Sequence, residues 1–222
     1  MTSRGGFSDR REAGRKLGEA VARLKLADPV VLALPRGGVP VGYEVAEAIG
    51  APLDILMVRK IGAPGHEEYG IGALVDGASP QLVIDENAVR MTGASSAYID
   101  SEVARQLAEI ERRRTIYMTG PPIGLAGHTV VIVDDGIATG GTVKAALKGI
   151  ALAKPGRVIL AVPLAPADTL NELRDLCDEV VCLEQPLPFY AVGAHYRDFT
   201  QTTDAEVIQL LAKARLRSKQ SV

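Results

Sequence analysis

The sequence predicts an α/β protein whose parallel sheet is covered by helices on both faces, and three observations carry that expectation. Short aliphatic runs recur at residues 30–34, 53–58, 130–133, 158–162 and 180–183. Amphipathic stretches lie between them at 39–49, 98–114, 142–153 and 167–176. The runs are almost continuously apolar instead of alternating, the pattern of strands buried on both faces by crossover helices. In such sheets ligands occupy the crevice beyond the carboxyl ends of the strands, so the residues after each run are where chemistry is sought.

The remaining elements follow in chain order. Residues 9–26 read as an amphipathic helix, with Leu17, Val21 and Leu24 on its apolar side and Arg15, Lys16, Glu19 and Arg23 on its polar side. Residues 60–72 hold four glycines and one proline among polar groups and show neither periodicity, so a mobile loop is expected there. Residues 186–196, with prolines and aromatics, read as an irregular cap, and 204–216 as a closing helix. The length of 222 residues suits one domain over 1–222, with a small hood expected from the N-terminal helix and residues 184–200.

Composition excludes several classes. With 47% hydrophobic and 23% charged residues the chain is neither disordered nor fibrous. No apolar run approaches the roughly 20 residues of a membrane span. The N-terminal residues carry charge with no apolar stretch behind them, so the expected compartment is the cytoplasm. Twenty-five Lys and Arg against 27 Asp and Glu leave a formal charge of -2, which offers no global field to a nucleic acid. The basic residues Lys213, Arg215, Arg217 and Lys219 suit a helix C-terminus. Cys177 and Cys182 lack a second pair and a histidine at ligand spacing, so they read as packed thiols and not as a zinc site.

The most informative segment is 130–142, VVIVDDGIATGGT: a buried strand, two acids, a glycine-rich turn and a helix start. Glycines let backbone N–H groups approach an anion, the helix N-terminus adds positive potential, and Thr139 and Thr142 add hydroxyl donors. Together they suit a phosphate. Asp134 and Asp135 would repel that phosphate unless they face sugar hydroxyls or a cation a little further on. A phosphorylated polyol is the implied ligand. Three other readings compete. A nucleoside triphosphate loop needs a lysine where Thr142 stands, and a dinucleotide turn needs GxGxxG, which is absent. A plain helix-capping turn leaves two adjacent acids without a partner.

This segment resembles the ribose-5-phosphate-binding signature of the type I phosphoribosyltransferases, which use phosphoribosyl pyrophosphate (PRPP). The resemblance implies that Asp134 and Asp135 hold the ribose 2- and 3-hydroxyls while Ala138, Thr139, Gly140, Gly141 and Thr142 hold the 5-phosphate. Hypoxanthine-guanine enzymes carry an acid where Ala138 stands, whereas adenine enzymes carry Ala-Thr-Gly-Gly-Thr as here. A purine acceptor does not follow from that alone.

Two other strand exits add cations. Arg36, Gly37 and Gly38 follow the first run and can offer a bidentate guanidinium and bare amides to an anion. They resemble the family's pyrophosphate loop, in which a non-proline cis peptide would here join Pro35 to Arg36. Arg59 and Lys60 follow the second run, and beside two anion-ready exits they read as charge for a pyrophosphate. They are similar to the Val-Arg-Lys stretch of adenine phosphoribosyltransferases. By the same resemblance, residues 63–72 close over the reacting centre, where Glu67 or Glu68 would handle a proton.

Residues 188–199 gather aromatics that form either a minor core or a platform for a planar acceptor. Taken end to end, the chain resembles a group of bacterial phosphoribosyltransferases whose acceptor is not established. The resemblance implies transfer of ribose 5-phosphate from PRPP to a nitrogen nucleophile. Arg36 and Lys60 would be the catalytic cations, and magnesium would be held by PRPP oxygens and reached by Asp134 and Asp135 directly or through water. A second reading is a PRPP or nucleotide sensor without turnover. A two-fold dimer is the commonest assembly for such chains.

Overall fold

The computed structural model describes residues 6–117 and 120–220. The chain opens with α1 (Arg10–Ala22), β1 (Pro29–Ala33), α2 (Gly38–Ile49) and β2 (Leu53–Ile55). Three strands follow, β3 (Val58–Ala63), β4 (His66–Val75) and β5 (Gln81–Ile84), then α3 (Glu86–Thr92) and α4 (Ser96–Tyr117). The second half alternates β6 (Thr129–Val133), α5 (Gly141–Leu152), β7 (Arg157–Leu164), α6 (Ala167–Arg174) and β8 (Glu179–Glu184). A short 3-10 turn (Val192–His195) and α7 (Asp204–Gln220) close the chain.

The main sheet has five strands in the order β2-β1-β6-β7-β8, and every pairing in it is parallel. Successive side chains of a strand point to opposite faces. Val31, Ala33, Val131, Val133, Ile159 and Ala161 therefore pack on one side, against Leu17 and Val21 of α1, Val45 of α2 and Leu210 of α7. Val30, Leu32, Val130, Ile132, Val158 and Leu160 pack on the other, against Val143 and Leu147 of α5 and Leu170 of α6. The expected α/β class and the two-sided cover are present. Cys177 and Cys182 are free and partly buried beside the second cluster, as packed thiols.

Helix α1 lies unusually close to α2. A Cβ at Gly14 would stand 2.9 Å from the Val41 carbonyl oxygen, and one at Gly18 would stand 2.7 Å from the Ala48 Cβ. Two glycines four apart thus let the helices touch backbone to backbone. The helix stops at Ala22, short of the expected residue 26, because Lys25 and Asp28 turn the chain at φ 49° and 47° before Pro29 opens β1.

Two expectations need correction. The run at 53–58 is not one strand. It leaves the main sheet after Ile55, and Val58 begins a separate antiparallel sheet in the order β3-β4-β5. The segment 60–72 is correspondingly not a loop without structure but the body of the β3–β4 hairpin, with Gly65 at φ 71° in its turn. Its glycines allow strands to approach closely: a Cβ at Gly62 would sit 2.5 Å from the Glu67 carbonyl oxygen, and one at Gly72 would sit 2.6 Å from that of Val83. The register also shifts between Ile61, Gly62 and Ala63, which breaks the alternation that would have marked a strand in the sequence. Helix α3 likewise lay below notice; Asp85 caps it by accepting from the N–H groups of Asn87 and Ala88.

The two sheets are joined by a buried ion cluster. The Arg114 guanidinium donates to Asp76 Oδ2 at 2.8 Å, to Asp54 Oδ1 at 3.4 Å and to the Ile55 carbonyl at 3.2 Å, so α4 clamps β2 to the end of β4. Burial pushes the carboxyls of Asp54 and Asp76 up, and Arg114 opposes that push at both. Replacing Arg114 with Met should destabilise the fold by about 3–5 kcal/mol, since it leaves two buried acids without a counter-charge. Acids whose folded pKa is raised bind more protons in the native state, so their contribution worsens as pH rises above the ordinary carboxylate range. Urea titration of this variant should accordingly show stability recovering as pH falls towards that range, relative to the parent protein.

Candidate active site

The exits of β1 and β6, adjacent parallel strands, lie side by side. The Leu34 N–H donates to the Val133 carbonyl at 2.9 Å, which carries the pairing one residue past β1. The peptide between Pro35 and Arg36 is cis, as the resemblance implied. Beyond it the backbone of Gly37 and Gly38 lies directly against the acid pair. A Cβ at Gly37 would stand 2.0 Å from Asp135 Oδ2, and one at Gly38 would stand 2.8 Å from the Val133 carbonyl oxygen and 3.0 Å from the Asp134 Cα. A Cβ is shut out by backbone at Gly38 and would push the Asp135 carboxylate aside at Gly37, which is the physical reason for two glycines after Arg36.

Asp134 accepts the Asp135 N–H at 2.9 Å through its own Oδ1. Its burial pushes the carboxyl well above the usual carboxylate range, and the neighbouring Asp135 charge adds to the push. Burial raises Asp135 as well, but Arg10 opposes it by donating from Nε to Oδ2 at 2.7 Å. Arg10 is in turn fixed: its Nη1 donates to the Thr200 carbonyl at 2.8 Å, and its guanidinium carbon stacks 3.8 Å from the centre of the Phe199 ring. The Tyr196 hydroxyl donates to the Asp135 carbonyl at 2.6 Å. Val192 covers Gly136, whose Cβ would meet it at 2.6 Å. The aromatic segment thus packs onto the acid turn, and Tyr196 joins Phe7, Ala13 and Leu164 in a minor core.

After the acids, Gly136 at φ 157° and Gly140 at φ 74° bend the chain into α5. The Thr169 hydroxyl donates to the Ala138 carbonyl at 2.9 Å and steadies the turn. Thr139, Gly141 and Thr142 line a crevice of about 810 Å³ between α5 and the antiparallel sheet, shared with Lys60, Lys144 and Lys148. Lys60, from β3, is therefore brought to the same opening as the expected phosphate turn. Its ammonium donates to the Glu68 carbonyl and lies 3.4 Å from Glu68 Oε2.

The other two expected cations go elsewhere. Arg59 alternates with Lys60 along β3 and reaches α4, donating to Gln106 Oε1 at 2.8 Å. Arg36 lies 3.5 Å from Asp204 Oδ1, in a cavity of about 220 Å³ with Arg112, Arg113 and Tyr117. Glu67 and Glu68 are exposed at the hairpin tip. Of the histidines, His66 is exposed, His128 lies 2.8 Å from Asp28 Oδ2, and His195 stacks on Phe189 with centroids 5.5 Å apart. Among the described residues no helix is long and apolar enough to cross a membrane.

This geometry can hold an anion at an amide-rich turn, with acids beside it for hydroxyls. The phosphoribosyl transferase domain model matches residues 10–197, which span both strand exits and the hairpin. The chain belongs to the phosphoribosyl transferase family. It is 46% identical over 209 residues to a Mycobacterium tuberculosis protein provisionally named a phosphoribosyl transferase, an alignment covering 94% of this chain and 47% of that protein. The chain thus spans about half the length of that relative. It is 33% identical over 139 residues to the bifunctional protein PyrR of Chloroflexus aurantiacus, covering 61% of this chain and 68% of PyrR. The crystal structure of TT1426 from Thermus thermophilus superposes with a TM-score of 0.82 at 44% identity, covering 94% of this chain and 98% of that one. The fold shared with TT1426 therefore extends over almost the whole chain.

Sequence reasoning placed Tyr196 in the minor core but missed its bond to the acid turn, and it missed Arg10. Arg10 stands 125 positions from Asp135, and no spacing ties a charge at the start of a helix to an acid so remote. Replacing Tyr196 with Phe strands the Asp135 carbonyl, and should cost about 1–3 kcal/mol of stability in urea titration while leaving the ring packing in place.

Proposed function

We propose that the protein transfers ribose 5-phosphate from PRPP to a nitrogen nucleophile and releases pyrophosphate. The observation that carries this reading is the junction at β1 and β6, where an amide-lined loop and an acid pair abut over bare glycine backbone. In this reading Ala138, Thr139, Gly140, Gly141 and Thr142 hold the 5-phosphate, while Asp134 and Asp135 accept from the sugar hydroxyls. Arg36, Gly37, Gly38, Arg59 and Lys60 serve the pyrophosphate. Of these, Lys60 already shares a crevice with Thr139 and Thr142. Arg36 and Arg59 would have to leave Asp204 and Gln106 to reach it.

The C1–O bond breaks with its electron pair leaving on pyrophosphate, while the acceptor nitrogen forms the new bond at C1. The acid pair favours positive charge developing on the sugar ring, and Lys60 and Arg36 favour the negative charge of the leaving group. Positioning and charge supply most of the acceleration, since the protein forms no covalent bond in this scheme. The hairpin over 63–72 would cover the reacting centre, with Glu67 or Glu68 taking the acceptor's proton. The segment 184–200, together with α1, would form the hood over the acceptor.

Magnesium fits the acid pair as a guest of the substrate. Asp135 is already paired with Arg10, and among the described residues no group of three potential metal-ligating side chains stands together. That donor set suits an ion that keeps substrate oxygens and water as its main ligands, with Asp134 and Asp135 reaching it directly or through water. When bound, it would neutralise the diphosphate.

A pyrophosphate-release assay with PRPP and a panel of purines, pyrimidines and small amines tests the reading. Turnover with any acceptor supports transfer, and tight PRPP binding with none supports a sensor. Replacing Asp134 and Asp135 together with Asn should weaken PRPP binding in calorimetry by at least tenfold, with a far smaller effect on folding; unchanged affinity would remove the acids from the site. Lys60→Ala should lower kcat more than it weakens ribose 5-phosphate binding, because its proposed partner is the leaving group.

A further inference from the structure

Arg10 stands outside every motif that pointed to the site, yet it makes the charged contact on the second acid. Its side chain is 11% exposed and that of Asp135 is 14% exposed, so the pair is largely withdrawn from solvent. Three contacts fix the guanidinium: Asp135 Oδ2 at 2.7 Å, the Thr200 carbonyl at 2.8 Å and the Phe199 ring at 3.8 Å. A charge-assisted contact of this kind is directional as well as strong, and a planar guanidinium seated on a ring loses little freedom in making it.

The contact is also one-sided. Arg10 binds Oδ2, the oxygen that lies against Gly37, where a Cβ would stand only 2.0 Å away. Oδ2 is thus enclosed by Arg10 and by the backbone of the anion loop. Oδ1 takes no hydrogen bond from Arg10 and stands farther from the same Cβ position, at 3.2 Å. The carboxylate therefore has one oxygen committed to the protein and one available to a hydroxyl, and its rotation is stopped by the commitment. The Tyr196 hydroxyl, on the Asp135 carbonyl at 2.6 Å, holds the main chain of the same residue.

We propose that Arg10 is a positioning residue for the sugar site: it fixes the rotamer of Asp135 and supplies the counter-charge that lets two adjacent acids face one vicinal diol. The role rests on the sugar-phosphate reading above and extends it to a residue from the first turn of α1. It ties the site to two remote segments, because Arg10 comes from α1 while Phe199 and Thr200 come from the stretch before α7. Without that counter-charge, Asp134 and Asp135 repel each other and Asp135 is free to turn away from the ligand.

The test is calorimetry of three ligands, ribose 5-phosphate, 2-deoxyribose 5-phosphate and inorganic pyrophosphate, on the full chain and on Arg10→Gln and Arg10→Lys. The parent protein should prefer the ribose compound over the deoxy compound. Arg10→Gln should weaken ribose 5-phosphate about tenfold and the other two less than twofold, so that the preference between the sugars collapses. Arg10→Lys, which keeps the charge without the fork, should recover part of that preference, and it also serves if the Gln variant does not fold. Equal losses for all three ligands would make Arg10 structural only and overturn the proposal. Unchanged or tighter ribose 5-phosphate binding would make the ion pair idle or a competitor, and would overturn it too. A parent protein that binds pyrophosphate but neither sugar phosphate, or none of the three, overturns the sugar reading itself and this role with it, an outcome distinct from the variant results.

Discussion

The site depends on glycine backbone lying where a side chain would have no room. Gly37 and Gly38 after β1 press against Asp134 and Asp135 after β6, and everything else is arranged around that contact. Parallel pairing of β1 with β6 brings the exits together in register, from Pro29 opposite Thr129 to Ala33 opposite Val133. The bare glycines then allow the anion loop and the acid pair to share a wall. A side chain at Gly38 would meet the backbone of the β6 exit and one at Gly37 would displace the Asp135 carboxylate, separating groups that the proposed function places on one ligand.

Around that contact the charges are sorted by direction. β3 sends Lys60 to the crevice along α5 and Arg59 to α4, as strand alternation requires. Arg36 leans the same way as Arg59, towards Asp204 and the arginines of α4. The cations of the two exits therefore point to different cavities, and Arg10 supplies the one that touches the acid pair. The antiparallel sheet is the element that makes this possible, because it carries Lys60 out of the main sheet and across to the glycine turn before α5. Its own attachment is firm at the base, where Val75 fills the space left by Gly149 of α5.

Much of this was legible in the residues. The main sheet could be read because strands buried on both faces leave uninterrupted aliphatic runs, and the acid–glycine turn because its glycines stand between a buried strand and a helix start. The hairpin could not, since its glycines look like loop punctuation and its register shifts erase the period of two. The bonds of Arg10 and Tyr196 to the acid turn were invisible for another reason. Their partners are set by how α1 and the final segments fold back over β6, and that depends on packing between elements far apart in the chain.

The seating of α1 on α2 gives this last arrangement an Achilles heel. Gly14 and Gly18 lie one and two turns along the helix from Arg10, on the side that meets α2. Because a helix transmits a shift along its axis with little bending, any bulk at these glycines would lift the whole rod and draw the guanidinium off the carboxylate. On the role proposed for Arg10, two residues remote from the acid pair would then govern how faithfully the pocket tells one pentose from another.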